Sequence, residues 1–125
     1  GLKLNITAVY TVGQVKKIIK CLNKDSYTII SIFSGRMGDV GKDPVSIIKK
    51  SVRITKKMKK IEILWASTRE AYNFTQAKEC NCDIITMPPK IIEKVSKFGK
   101  SFKTLTLDTV KTFYQDAVDA NFKIN

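Results

Sequence analysis

Two arginines stand where a protein could use them to bind an anion. Arg36 closely follows the apolar run "YTIISIF", and Arg69 closely follows the apolar run "IEILWAS". If both runs are parallel strands, they end at one edge of a sheet, where Ser67, backbone N–H groups and two guanidinium groups could surround a phosphate. Either arginine alone would be read as surface charge. The pair, with a serine beside it, predicts a phosphate site.

Other polar residues lie near the ends of the same apolar runs. They are Asn5 and Thr7 in "LKLNITAVY", Ser31 in the second run, Ser67 in the third and Thr86 in "CDIITMP". Successive strand residues point to opposite faces, so these side chains predict a polar cluster at one end of an otherwise apolar interior. Active sites of parallel barrels are built at that end.

The elements that must position these residues alternate between two patterns. Four short apolar runs are each followed by a segment with helical spacing, which predicts parallel strands joined by helices. We expect strands near residues 3–9, 28–33, 61–66 and 83–87. A glycine-containing loop should follow the second strand as far as Asp43-Pro44, where a helix begins. An open doubly wound sheet and part of a (β/α)8 barrel both fit, but no G-x-G-x-x-G follows the first strand, which argues against a dinucleotide site.

The formal net charge of +12 is the outlying feature of the composition, and lysine is concentrated in "KKSVRITKKMKKIE". A basic helix over residues 45–60 could bind nucleic acid or an acidic surface. A solvated helix face explains it as well, and no aromatic residue interleaves the lysines to stack on bases. We therefore favour the solvated face and do not expect nucleic acid as a partner.

The cysteines and the hydropathy of the chain narrow the class further. Cys21, Cys80 and Cys82 form no metal or redox spacing, and the sequence has no histidine, so buried or half-buried free thiols and no metal are expected. Neither a signal peptide nor an apolar run of membrane-spanning length is evident. These features predict a soluble, cytoplasmic protein with no membrane partner.

Four peptides of the chain resemble one known family. "LNITAVYT", "ISIFSGRMGD", "ILWASTRE" and "CDIITMPPKIIEKV" are similar, in the correct order, to the last four strand-and-loop signatures of the transaldolase family. Members are class I aldolases that work through a lysine Schiff base on a (β/α)8 barrel. The resemblance implies an α/β fold in which residues 1–103 are strands five to eight of a TIM barrel, a parallel (βα)4 unit. Residues 104–125 would then be a C-terminal helix, which the spacing of its apolar residues also predicts, packed on the barrel or on a neighbouring subunit.

The resemblance also implies roles for individual residues. Asn5 and Thr7 match positions that face the sugar and position the catalytic water, while Ser31 and Phe33 match substrate-binding positions. The implied phosphate ligands are Arg36, Ser67 and Arg69. Thr68 departs from the phenylalanine usual at its position. Phe33 favours transfer of a dihydroxyacetone unit over simple cleavage, since the fructose 6-phosphate aldolase subgroup has tyrosine there.

The family's Schiff-base lysine lies on strand four, which would precede this chain. Lys3 is a poor substitute because it sits about four residues, or roughly 13 Å at strand rise, below the expected substrate. We therefore expect the chain alone to be inactive and to be the C-terminal half of an enzyme of the pentose phosphate pathway. The implied partners are sugar phosphates such as fructose 6-phosphate, the missing N-terminal half and further copies in a homo-oligomer; no cofactor is implied. A non-catalytic phosphate or nucleic-acid binding module and a half-barrel interaction fragment remain the alternatives.

Overall fold

The computed structural model describes residues 2–23 and 25–124, except for the side chains of residues 122–124. Strands and helices alternate along most of the chain. The elements are β1 (Lys3–Val9), α1 (Val12–Cys21), β2 (Tyr27–Phe33), α2 (Ser34–Asp39), α3 (Val45–Thr55), β3 (Ile61–Ala66), α4 (Tyr72–Glu79), β4 (Ile84–Ile85), α5 (Pro89–Ser96) and α6 (Phe102–Ile124).

The four strands form one parallel sheet in the order β1-β2-β3-β4. This confirms the predicted parallel (βα)4 unit, the arrangement of half a TIM barrel followed by a C-terminal helix. β4 is shorter than the 83–87 expected, although backbone hydrogen bonds from Asp83 to Ile63 and from Thr86 to Trp65 continue its pairing with β3. All four strands therefore end at a common edge, hereafter the carboxyl edge.

The core lies between the sheet and its helices. Ile30, Ile32, Ile63 and Trp65 alternate along β2 and β3 and are fully buried together with residues of α1, α3 and α4. Burial of each large apolar side chain contributes roughly 1.5–3 kcal/mol. The intervening residues, Ser31 among them, point to the opposite face of the sheet. The apolar runs of the sequence thus hold polar side chains on the face away from the helices.

The segment after β2 differs from the expected loop. The chain enters α2 at Ser34, directly after the strand, and the helix runs through Gly35 and Arg36 to Asp39. Two glycines in six residues give this helix little intrinsic propensity. Close packing of Gly35 on the backbone of Ser67, directly after β3, explains why the helix forms despite them.

The basic helix is also shorter than predicted. α3 ends at Thr55, so Lys56 to Lys60 lie in the turn that leads to β3. Its start agrees with the prediction, because the carboxylate of Asp43 accepts a hydrogen bond from the N–H of Val45 at 2.9 Å. Residues 45–60 are therefore a helix followed by a lysine-rich turn, and their basic side chains are exposed.

The three thiols differ in their surroundings. Cys80 is buried and Cys82 is half-buried, as expected, whereas Cys21 at the end of α1 is exposed, contrary to the prediction. The Cys82 thiol donates to the carbonyl oxygens of Ile63 at 3.2 Å and Ile84 at 3.4 Å. All three are free thiols.

The chain divides into two compact units, residues 1–95 and 96–125. The second unit contains α6, whose start is marked by an ion pair of 2.8 Å between Lys100 and Asp108. Within the part of the chain that the structure describes, no helix combines the length and the hydropathy needed to cross a membrane.

Candidate functional site at the carboxyl edge

Arg69 is held at both its backbone and its side chain. Its N–H and that of Glu70 donate to Oδ1 of Asn73 at 3.1 and 3.0 Å, which fixes the segment between β3 and α4. The guanidinium reaches α2, where Nη2 donates to Oδ2 of Asp39 at 2.9 Å and Nε lies 3.3 Å from both carboxylate oxygens. The loop after β3 is thereby tied to the helix after β2.

Arg36 is oriented by an aromatic pair at the end of β2. Its guanidinium carbon lies 5.8 Å from the ring centre of Phe33, a cation–π distance. Phe33 in turn meets Tyr10 edge to face, with 6.0 Å between ring centres and 81° between ring planes. Tyr10, directly after β1, thus helps to orient Arg36, which follows β2, through the ring of Phe33.

The two arginines line one cavity of about 680 Å³. Tyr10, Thr11 and Lys42 also contribute to its wall, together with Asp39. Three cationic side chains and one carboxylate therefore face the same space. A cavity with excess positive charge and guanidinium forks suits a phosphate group.

Gly35 permits close contact between the two arginine-bearing segments. A Cβ atom built on Gly35 would lie 1.5 Å from the carbonyl oxygen of Ser67 and 2.9 Å from Cγ of Arg69. Ser67 itself adopts a left-handed backbone with φ of 61°, which is costly for a residue other than glycine. The backbone of α2 and that of Ser67 therefore pack with no room for a side chain at position 35.

The predicted sugar-facing residues form a second group on the sheet face opposite the helices. The Ser31 hydroxyl donates to Oδ1 of Asn5 at 2.6 Å, joining β2 to β1. Thr7 is exposed and lies where the register between β1 and β2 shifts, beside Ala8 with φ of 57°. Such bulges redirect side chains near functional sites.

Thr68, which departs from the family pattern, has a structural contact. It is buried, and its hydroxyl donates to the carbonyl oxygen of Thr86 at 2.6 Å. A phenylalanine could not make this bond. The hydroxyl links the segment that carries Arg69 to the end of β4, so the departure is compatible with an ordered site.

The ion pair between Asp39 and Arg69 shifts the pKa values of both groups. The hydrogen bond from Arg69 lowers the pKa of the Asp39 carboxyl below its usual value, and the charges of Arg69 and Arg36 act in the same direction. The same contact raises the pKa of Arg69. Asp39 is therefore ionised at neutral pH, and the Arg69 guanidinium that it pairs with is charged.

The predicted site residues thus fall into two groups. In the first group, Arg36 and Arg69 line the cavity and Phe33 contacts Arg36. In the second group, the Ser31 hydroxyl is hydrogen-bonded to Asn5. Ser67 contributes its backbone to the contact with Gly35. Asp39 was missed, although it follows Arg36 by three residues, because the segment was read as a loop. Arg69, the partner of Asp39, is 30 positions away in the sequence. Helical spacing alone would only have placed Asp39 near Arg36.

The parallel (βα)4 sheet has the arrangement of half a TIM barrel, and the arginines on neighbouring segments at its carboxyl edge form a candidate anion site. The family model "Transaldolase/Fructose-6-phosphate aldolase" matches residues 1–125. The chain belongs to this family.

Individual relatives agree with the family match. The chain is 31% identical over 99 residues to a "Probable transaldolase" of Caldicellulosiruptor saccharolyticus, covering 78% of this chain and 44% of the relative. It is 29% identical over 117 residues to one of Herpetosiphon aurantiacus, with 93% and 49% covered. For one of Clostridioides difficile the values are 27% over 125 residues, 99% and 54%. The chain spans about half the length of the curated relatives it matches.

Proposed function

We propose that this chain is the C-terminal half of a transaldolase-type enzyme, which transfers a dihydroxyacetone unit between sugar phosphates. The observation that carries the proposal is the shared cavity of Arg36 and Arg69, because two guanidinium groups from neighbouring segments fit one phosphate. Family membership and the names of the relatives support the same activity.

In this proposal the phosphate is bound by Arg36, Arg69 and Ser67. Arg36 is oriented by Phe33 and Arg69 by Asp39, so both guanidinium groups are arranged before substrate arrives. Preorganised donors lose less conformational entropy on binding than mobile ones do. We expect these residues to set the preference for phosphorylated sugars.

Asn5, Thr7 and Ser31 are proposed to face the sugar. Oδ1 of Asn5 is occupied by the Ser31 hydroxyl, which turns the amide nitrogen and its two N–H donors to other partners, such as sugar hydroxyls. Thr7 would position the water needed for Schiff-base chemistry. Phe33 would supply an apolar wall near the sugar, the feature that favours transfer over simple cleavage.

The nucleophilic lysine is proposed to lie in a preceding segment that completes the barrel. The complete enzyme is then this chain joined to that N-terminal half. Lys3, at the amino end of β1, lies at the opposite end of its strand from the carboxyl edge, which argues against its use as the nucleophile. The chain alone should therefore carry no aldol chemistry.

Borohydride trapping tests the assignment. A lysine amine and a ketose carbonyl lose water to form an imine, which borohydride reduces to a stable secondary amine. With fructose 6-phosphate, the mass of the isolated chain should stay unchanged, while the complete enzyme should gain one adduct on its N-terminal half. The control, Lys3→Ala in the complete enzyme, should be trapped equally well. An adduct on Lys3 would contradict the proposal, as would a complete enzyme that is never trapped.

A comparison of products separates transfer from cleavage. A transferase releases glyceraldehyde 3-phosphate from fructose 6-phosphate rapidly only when an aldose phosphate acceptor is present. An aldolase releases free dihydroxyacetone without one. Acceptor-independent turnover would place the enzyme in the cleavage subgroup instead.

A further inference from the structure

Asp39 holds Arg69 by one particular edge of its guanidinium group. The contacts use Nε and Nη2, the side-on geometry, with the shortest distance 2.9 Å between Nη2 and Oδ2. Each of the two side chains is 51% exposed. Ion pairs at such exposure contribute little to stability. The pair is therefore better explained by what it does to the geometry of Arg69.

The side-on contact leaves most of the guanidinium available. A guanidinium has five N–H donors, of which Asp39 engages that of Nε and one of Nη2. Both N–H groups of Nη1 and the second of Nη2 remain, and one N–H from each of these two nitrogens forms the end-on edge that binds phosphate in a bidentate manner. Arg69 can therefore hold Asp39 and a phosphate at the same time, by different edges.

The Asp39 carboxylate also interacts with the charges of both arginines. Arg36 precedes Asp39 by one helical turn on α2, and Arg69 approaches from the segment after β3. Without an anion between them, two guanidinium groups on one cavity would repel each other and move apart. Because Asn73 fixes the backbone of Arg69 and Asp39 fixes its head group, the side chain is restrained at both ends.

We propose that Asp39 is a positioning residue of the phosphate site: it presents the end-on edge of Arg69 to the substrate phosphate and keeps two arginines together before the phosphate binds. This inference rests on the proposed function. It makes an unusual prediction, because simple electrostatics says that a carboxylate beside the site repels a phosphate. Removing that negative charge should strengthen phosphate binding if Asp39 only repels, and should weaken it if Asp39 positions Arg69.

Substitution of Asp39 in the complete enzyme separates these two effects. For Asp39→Asn and Asp39→Ala we expect KM for fructose 6-phosphate to rise about 5- to 20-fold, a part of the loss expected for removing an arginine contact. The value of kcat should change less than about twofold, since Asp39 is not proposed to touch the reacting atoms. KM for unphosphorylated fructose should stay the same. Inorganic phosphate, as a competitive inhibitor, should lose affinity in parallel.

Glu70→Gln is the matched control. Glu70 is an exposed carboxylate next to Arg69 in sequence, so this variant removes one negative charge from the same neighbourhood. We expect KM for fructose 6-phosphate to remain equal or to fall slightly. In an Arg69→Lys background, Asp39→Asn should have little further effect, because lysine lacks the two-edged fork.

Three results would count against the positioning role of Asp39. If Asp39→Asn lowers or leaves unchanged the KM for fructose 6-phosphate, Asp39 is not a positioning residue. If KM rises equally for fructose, or if the melting temperature falls in proportion, the role is only structural and the inference is wrong. A wild-type enzyme that shows no preference for phosphorylated over unphosphorylated sugar contradicts the proposed function itself, and the role of Asp39 is then rejected with it.

Discussion

Two regions of the first unit carry dense positive charge, and they differ in how the charged groups are held. At the carboxyl edge, Arg36 stands over Phe33 and Arg69 is paired with Asp39. The second region, the basic surface, has more cations, all of them exposed. It consists of Lys49, Lys50, Arg53, Lys56, Lys57, Lys59 and Lys60. The number of charges is greater at the basic surface, where Lys60 donates to the carbonyl oxygen of Asp25 at 3.3 Å, whereas the ion pair and the cation–π contact lie at the carboxyl edge.

The difference has an energetic consequence. A lysine or arginine that must be immobilised on binding loses up to about 2 kcal/mol of side-chain entropy, and a group already held by a partner has lost much of it on folding. The exposed charges of the basic surface are also screened by salt beyond about 8–10 Å. A specific phosphate should therefore prefer the carboxyl edge, while the basic surface should attract polyanions weakly and in a salt-dependent way.

The largest effect is expected from Gly35→Ala in the complete enzyme. The new Cβ would lie 1.5 Å from the carbonyl oxygen of Ser67, so α2 or the Ser67 backbone must move, and both arginines would move with them. We expect kcat/KM for fructose 6-phosphate to fall by about 100-fold or more, with a lower melting temperature.

Gly38→Ala is the control for this prediction. A Cβ there meets nothing within 4 Å, on the same helix. Activity should be retained, and stability should rise by about 0.4–1 kcal/mol because alanine restricts the unfolded chain and favours the helix. Equal losses in the two variants would contradict the close packing of α2 on Ser67.

Gly35 also indicates which parts of the molecule the sequence could predict. The first three strands were predicted almost to the residue: β2 and β3 are largely apolar, as burial on a covered sheet requires, and β1 alternates apolar and polar residues. α2 was not, since its two glycines suggest a turn and its stability depends on a contact with Ser67, 32 positions away. For the same reason Arg36 and Arg69 were found from strand ends, but Asp39 was not.

Charge removal at each region tests the comparison directly. Arg36→Ala should raise KM for fructose 6-phosphate by about 10- to 100-fold, and the KM for unphosphorylated fructose should hardly change. Replacing Lys56, Lys57, Lys59 and Lys60 together by glutamine should change either KM less than about twofold at physiological salt. If the lysine variant weakens sugar phosphate binding more than Arg36→Ala does, the site has been placed at the wrong region.

Acid should protonate Asp39 and so break its ion pair with Arg69 at the carboxyl edge. The pKa of Asp39 lies below its ordinary value near 3.8, so its pair with Arg69 stabilises the folded state above that value and is lost as the pH falls through the lower, folded-state pKa. The urea midpoints of wild type and Asp39→Asn should differ slightly at neutral pH and converge in strong acid. A difference that is as large at pH 2 as at pH 7 would show that the carboxylate acts without its charge.

The smallest effect concerns a thiol beside the basic surface. Cys80 lines the same cavity as Lys49 and Arg53, and cations that were positioned to act on it would lower its pKa. Instead burial raises the Cys80 pKa, and this outweighs the opposite influence of Lys49. Burial also raises the pKa of the Cys82 thiol to about 11. Both thiols should therefore be mostly protonated at pH 8, in contrast to an activated cysteine.

Alkylation of the native chain with iodoacetamide at pH 8, followed by mass spectrometry, measures this difference. Cys21 is exposed and should be modified first, while Cys80 and Cys82 should react only slowly until the chain is unfolded in urea. Lys49→Gln should change the Cys80 rate less than about twofold, because one flexible exposed charge is strongly screened. If Cys80 reacts as fast as Cys21, or slows several-fold in the Lys49 variant, the basic surface holds its cations in a fixed arrangement after all. The two regions would then not differ in how their cationic side chains are held, which is the difference proposed between the basic surface and the carboxyl edge.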